Sequence, residues 1–486
     1  MARAAHGQRF SRVERRRRTS ARIALYGSLA VTGAVAVLLA FFLVPRVERD
    51  GTMAWSAERY ALLPEVQMLR EYIAIDTTPQ GSELAGALWL ADRLAELGLV
   101  PVVERVGDDA NVWTVIEGRS HEAVVLHHHV DVEAVLRPEA WSHPPFDGVI
   151  DGPWLYGRGA FDMKSVAVAQ LMALRRLVWS GERPERSVIF LATTGEEVGS
   201  HLGMRFFLAT HPELVRRFAV VLTEGGAVEG RRPGEAKYWG TEFAQKRLVR
   251  VTLCSGTREP LAALEQDILD NARLYRGEPK LVPETERFLR SYAPTRDARR
   301  LRELLTHPRT LLLDRPTFDD LSAYLRGFFQ NVLLPQGLHP VAGGGWELRL
   351  NLLLLPGEDT GRALDELLPP WTRFALPEIV VEESPPGTSS PLDHWAFQEI
   401  DRLMEERYPD VVHGPLMLPS TITDARFLRH HGITAYGFSP FNVLTPEVLQ
   451  MSQYGTLNER ISLTGFEEGV RLYEALLLRL AGADDS

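Results

Sequence analysis

The chain has 486 residues, 45% of them hydrophobic and 24% charged. At about 100–200 residues per domain, that length makes two or three domains with ample apolar material for a core, which excludes disorder throughout. Cys254 is the only cysteine, so a disulfide scaffold is excluded too. The formal charge of −10 is uneven: residues 1–22 hold eight arginines against Glu14, leaving −17 for the rest.

Ile23 to Val44 is 22 residues without a charge. As a helix it would be about 33 Å long, which matches a bilayer core. By the positive-inside bias the arginine arm (1–22) stays cytoplasmic, and the acidic bulk lies on the other side. A cleaved signal peptide is the alternative. Its apolar region would be unusually long, however, and the exit Phe41-Phe42-Leu43-Val44-Pro45 has no small-x-small cleavage site. An uncleaved single-pass anchor at 23–44 is expected, with an extracytoplasmic remainder (periplasmic or extracellular if bacterial). The only basic segment belongs to this anchor, so nucleic-acid binding is not expected.

Glu65–Ile75 and Glu83–Leu97 read as amphipathic helices, the second with Leu84, Leu88, Ala91 and Ala95 at helical spacing and Gly98 past its end. Ala123–Leu126, Ser187–Ala192 and Ala219–Leu222 are unbroken apolar runs, as buried parallel strands are. Ser165–Trp179 reads as a crossover helix, so the rhythm is βαβ and the domain α/β. The pattern changes near residue 240. Lys246–Leu253 and Trp346–Leu352 alternate in period two, as strands covering one face do, and a helical, Arg-rich stretch lies between them. The expected organisation is an α/β domain (50–240 and 385–486) interrupted by a smaller α+β domain (241–384).

Three strand ends deliver acids or histidines. His127-His128-His129-Val130-Asp131 follows the first run, and in extended chain Asp131 faces the same way as His129, where it can fix the ring's tautomer. A glycine-rich loop places Asp162 before the crossover helix. Thr193-Thr194-Gly195-Glu196-Glu197 follows the second run, and its adjacent glutamates point in opposite directions, one toward a metal and one toward the attacking water as general base. Glu224 follows the third. Singly, a His-x-Asp or a Glu-Glu is usually a surface pair or a solvated turn. Together they collect at the carboxyl ends of strands, where open α/β sheets place their sites. Mixed nitrogen and oxygen donors suit Zn²⁺ or a similar divalent ion.

These segments, with Trp154-Leu155-Tyr156-Gly157-Arg158-Gly159, Asp162-Met163-Lys164, Gly195-Glu196-Glu197-Val198-Gly199-Ser200 and Thr423-Asp424-Ala425-Arg426, resemble the M20 family of metallopeptidases. That family includes aminoacylase-1, carboxypeptidase S and N-acyl-amino-acid hydrolases. The resemblance implies a zinc-exopeptidase-like domain with a mixed, mostly parallel sheet and an α+β lid. It implies that His129, Asp162 and Glu224 hold one zinc, with Asp162 bridging to a second ion also held by Glu197. Glu196 would be the general base, Asp131 would orient His129, and Arg426 would grip the substrate carboxylate. The implied substrate is a small peptide or N-acyl amino acid, and a homodimer through the lid is also implied.

The sequence departs from this pattern in places. Tyr454 stands roughly where the family has a second-metal histidine, and His431 is the last histidine of the chain. The lid histidine is absent too, because no histidine lies between His211 and His307. The first metal site stays complete, so one zinc is expected and the second ion loses a ligand. Two readings remain open: a divergent zinc amidohydrolase or exopeptidase, and a catalytically weakened relative that binds metal, ligand or partner at the cell surface.

Overall fold

The computed structural model describes residues 57–482 apart from 233–234, 273–275, 377, 384, 386–388 and 444–455. The expected basic arm (1–22) and anchor (23–44) lie outside the described residues, as does Tyr454. No helix among the described residues is long and apolar enough to cross a membrane.

Two amphipathic helices come first, α1 (Pro64–Ile73) and α2 (Glu83–Glu96). Ser82 caps α2 by accepting from the Ala85 N–H, and Gly98 ends the turn with a φ of 77°. Strands β1 (Val102–Val106), β2 (Asp109–Ile116) and β3 (Ser120–His129) follow, then the short β4 (Val149–Asp151) and β5 (Trp154–Tyr156). Helix α3 (Lys164–Ser180) is the crossover to β6 (Arg186–Thr193), which pairs parallel with β3. After α4 (Met204–Thr210) come β7 (Phe218–Thr223), β8 (Ala227–Arg232) and β9 (Glu235–Gln245).

The chain then enters a second sheet at β10 (Arg247–Ser255). Helix α5 (Glu259–Asp270), a helical run beginning with α6 (Pro283–Tyr292), β11 (Val332–Pro340), β12 (Trp346–Leu354), α7 (Thr360–Leu367) and β13 (Glu378–Glu383) complete that part. The return brings α8 (Trp395–Arg407), β14 (Val412–Leu418), α9 (Ala425–His430), β15 (Ala435–Gly437), β16 (Asn442–Val443), β17 (Arg460–Ser462) and α10 (Leu463–Ala481).

The main sheet has the order β1-β2-β6-β3-β7-β15-β9-β8-β16, with β14 beside β9. Its centre, β6-β3-β7-β15, is parallel, and antiparallel pairs flank it, so the sheet is mixed. Both faces are covered. Val124, Leu126, Val188 and Phe190 pack with residues of α3 and α10, while Val125, Ile189 and Leu191 pack with Phe207 and Phe427. Burial on both faces explains why these strands read as unbroken apolar runs.

The smaller sheet, β11-β12-β10-β13, is antiparallel throughout. Val249, Val251, Leu348, Leu350 and Leu352 lie in one core with residues of α5 and α7, as period-two alternation predicts. The alternate residues, among them Arg250, Thr252, Arg349 and Asn351, line a cleft. The helical stretch that the sequence groups with this lid packs elsewhere. Phe288, Tyr292 and Phe328 belong to the main core, and Tyr238 of β9 meets Phe288 and Tyr292 edge-on. Its aromatic side chains find their counterpart on β9, not on the lid strands.

Strand β9 keeps to the main sheet as far as Gln245, so the passage into the lid is Lys246. This lysine is fully buried and donates to the Gln330 carbonyl at 2.7 Å. Burial, with Arg276 adding to it, pushes the ammonium down to about 7. An unfolded lysine stays protonated to about 10.4, so between the two values the unfolded chain binds more protons and stability rises with pH. Lys246→Met should flatten that rise. Between pH 7 and 10 the wild type should gain on the order of 1–4 kcal/mol relative to the variant, measured by denaturant unfolding.

Candidate metal centre and active site

Three adjacent parallel strands end on one edge of the main sheet. Strand β3 ends in His129, β6 runs into Thr194-Gly195-Glu196-Glu197, and β7 into Glu224. Asp162 comes from the loop that opens α3. The fold therefore brings together residues that are up to 95 positions apart, from His129 to Glu224. Ligand atoms of His129, Asp162 and Glu224 all lie within 4.8 Å of one another. His129 Nε2 is 3.4 Å from Asp162 Oδ1 and 3.7 Å from Glu224 Oε1.

The tautomer of His129 follows from its other nitrogen. Nδ1 lies 2.9 Å from the Asp131 carbonyl, which can only accept, so Nδ1 carries a proton and Nε2 is the nitrogen turned toward the cluster. The Asp131 carboxylate is farther away, at 3.4 Å. It accepts the backbone N–H groups of Glu196 at 3.0 Å and Glu197 at 2.8 Å. Asp131 thus orients the ring through its backbone, and its side chain fixes the loop that carries both glutamates.

His127 and His128 stay behind the site. His127 is fixed between the hydroxyls of Thr223 and Thr193, each at 2.9 Å, and His128 bonds Gln170 of α3 at 2.9 Å. Burial holds both rings below their ordinary value, so they are neutral structural groups.

The electrostatics of the cluster call for a cation. Burial, and then the charge of Asp162, push Glu197 and Glu224 well above the usual carboxylate range. Burial opposes a charge on His129, yet Glu224, Asp131 and Asp162 outweigh it and hold the ring well above its ordinary value. Asp162 Oδ1 and Glu197 Oε1 are buried without a hydrogen-bond partner. An orphaned Asp162 oxygen 3.4 Å from the His129 Nε2, with Glu224 Oε1 at 3.7 Å, fits a divalent cation, which would satisfy these groups and offset their charge. Glu197 is not part of the three-residue group, but it lines the same cleft as Asp162.

That cleft, of about 990 Å³, separates the sheet edge from the lid. Asp162, Glu196, Glu197, Glu224 and Arg426 line it from one side, and Arg250, Thr252, Arg349 and Asn351 from the other. Glu196 is almost fully buried. Burial pushes its carboxyl up to about 7, against the opposing pull of Arg426. Arg426 Nη1 donates to Glu196 Oε1 at 3.0 Å. Gln245 pins the turn before Arg426, accepting from the Thr423 N–H at 2.6 Å and donating to its carbonyl at 3.1 Å.

Two positioning carboxylates escape the sequence reading. Glu83, at the start of α2, looks like an ordinary first-turn acid, but it accepts the Gly195 N–H at 3.0 Å and the Thr194 hydroxyl. Glu459 reads only as part of Asn458-Glu459-Arg460. In the fold it is completely buried against the metal loop. Its Oε2 accepts from Arg158 at 2.7 Å and from the Gly159 N–H at 3.1 Å, and its Oε1 from the N–H groups of Phe161 at 2.8 Å and Asp162 at 3.0 Å. Glu459→Gln puts an amide NH₂ where donors already point. It should weaken metal affinity about 10- to 100-fold, read by competition with a chromophoric chelator.

A histidine and acids that converge at the carboxyl edge of a mixed sheet, beneath a lid, define a metal-dependent hydrolase. The chain belongs to peptidase family M20/M25/M40, whose profile matches residues 125–479. It is similar to aminoacylase-1 of Mus musculus, 29% identical over 435 residues that cover 86% of this chain and 95% of the relative. Aminoacylase-1 of Homo sapiens is 27% identical over 437 residues, with the same shares. Among solved structures, an M20 family metallo-carboxypeptidase of Sulfolobus solfataricus superimposes with a TM-score of 0.63 at 17% identity, over 86% of this chain and 99% of that one. Human carnosine dipeptidase 1 gives 0.62 at 14%, over 89% and 98%. These two share the fold.

Proposed function

We propose that the chain is a membrane-anchored zinc hydrolase that cleaves an amide bond next to a free carboxylate, in an N-acyl amino acid or a small peptide. The observation that carries this reading is the His129, Asp162 and Glu224 group with Glu196 in the same cleft. The name aminoacylase-1 borne by relatives that match nearly end to end favours N-acyl amino acids.

A divalent cation held by His129, Asp162 and Glu224 would polarise the substrate carbonyl and acidify water, as Zn²⁺ does in hydrolases. The chain's own groups do the rest. Glu196, poised near neutrality, takes the proton of the attacking water and delivers it to the leaving amine nitrogen. Arg426 holds the Glu196 carboxylate in one orientation, and Asp131 fixes the backbone beneath it. Closure of the lid over the cleft would exclude bulk water and strengthen these interactions.

Removing the metal should abolish turnover. Dialysis of the full-length protein against chelator should bring hydrolysis of a panel of N-acyl amino acids and dipeptides to background, and added Zn²⁺ should restore it at close to one ion per chain. Protein that binds no metal at any concentration tried would sink this reading. Metal bound with no turnover would favour the weakened relative, a binding module at the cell surface, which the absence of any histidine after His431 and between His211 and His307 supports. The anchor belongs to the proposal as well. Full-length protein should sediment with membranes, and solubility without detergent would remove that part. Sedimentation analysis in detergent tests the homodimer through the lid.

A further inference from the structure

Three arginines line the cleft, and two of them already have carboxylates. Arg426 donates to Glu196 at 3.0 Å, and its side chain is 4% exposed. Arg349, on the cleft side of β12, is paired with Glu347. Arg250 projects from the same side of β10, between Asn351 and Glu382 of the neighbouring strands, and is half-buried. Among the described residues its guanidinium has no hydrogen-bond partner and no ion pair.

The position of this guanidinium is informative. It rests on Gly199: a Cβ built on that glycine would stand 3.2 Å from Arg250 Nη1. Gly199 has a φ of 104°, a conformation natural to glycine, and its N–H returns to the Glu196 carbonyl at 2.9 Å. The unpaired cation therefore lies on the turn that directly follows Glu196 and Glu197, on its lid side. The opposite wall is acidic, with Asp162, Glu196, Glu197 and Glu224. A single divalent cation offsets only part of that charge, so an anionic substrate needs a cation to meet it on the approach side.

We propose that Arg250 binds the substrate carboxylate from the lid, as a planar fork, while Arg426 remains on Glu196. The proposal rests on the hydrolase reading above and adds to it a specificity-determining residue. A carboxylate seated on Arg250 lies over the Gly195–Gly199 turn, which sets the neighbouring amide bond above Glu196. Lid and catalytic loop then recognise the substrate together.

The test uses a ketone isostere of an N-acyl-leucine, with CH₂ in place of the amide NH, and the same ketone as its carboxamide. Neither can be hydrolysed, and both are titrated calorimetrically into full-length, zinc-loaded protein. Wild type should bind the acid about 10- to 100-fold tighter than the carboxamide, the scale of a charge-assisted contact. Arg250→Gln should bring that ratio near unity and Arg250→Lys should leave an intermediate one, with thermal midpoints confirming that both variants fold. A ratio that persists in Arg250→Gln overturns the proposal, as does a wild type with no preference. A ratio lost in Arg426→Lys but kept in Arg250→Gln assigns the carboxylate to Arg426 instead. Failure of the hydrolase reading shows separately, as absence of turnover on N-acyl amino acids.

Discussion

Glu196→Gln should lower kcat on an N-acyl amino acid by about 10²–10⁴-fold, the range that general acid–base groups contribute. The substitution is nearly isosteric. The Gln oxygen can still accept from Arg426, and the backbone N–H of residue 196 still meets Asp131, so the loop keeps its shape. What disappears is the ability to take a proton. Metal content should therefore match the wild type when both are measured by elemental analysis. A variant that retained kcat within tenfold would move the general base to another group. One that lost its metal would show that residue 196 serves the cluster instead of the water.

The largest stability effect is expected at Glu242. Its carboxylate and the Arg429 guanidinium form a two-pronged pair, 2.7 Å on each side, with both side chains essentially inaccessible. Further hydrogen bonds surround the pair. Arg429 also donates to the Ser390 hydroxyl at 3.0 Å and the Ala435 carbonyl at 2.8 Å, and Glu242 accepts the Gly437 N–H at 3.1 Å. Glu242→Ala leaves a buried guanidinium without its counter-charge, which costs about 3–5 kcal/mol. Denaturant unfolding should show it as a lower midpoint at constant slope. Glu242→Met combined with Arg429→Met should recover part of the loss, because the uncompensated charge goes with the pair. Arg429 sits three residues after Arg426 on α9, so the single variant should also slow turnover.

Much of this architecture is legible in the residues because it is local. Unbroken runs such as Ser187–Ala192 announce strands buried on both faces, and the alternation from Trp346 to Leu352 announces one buried face. His129, Asp162 and Glu224 stand out as candidates because each follows a strand or precedes a helix, and the family resemblance groups them; the fold brings their ligand atoms together. What was hidden depends on distant pairing. Nothing near Glu459 says that it caps the loop before Asp162, and nothing near Glu83 says that it holds Gly195. The role of Arg250 needs the register of β10 against β12 and β13, and the approach of the lid to Gly199. Asp131 is the instructive intermediate case. Its spacing from His129 is visible in the chain, but whether the carbonyl or the carboxylate meets the ring is decided by the amides of Glu196 and Glu197, which arrive from another strand.

The clamp by Glu459 has a consequence for biogenesis. Arg158 and the carboxylate it meets are separated by 301 positions. While the nascent polypeptide is still emerging, His129, Asp162 and Glu224 are already made, yet the amides of Gly159, Phe161 and Asp162 lack the carboxylate that accepts them. Tight capture of an ion by these three residues would have to wait until Glu459, 297 positions after Asp162, has been made and folded back onto the loop.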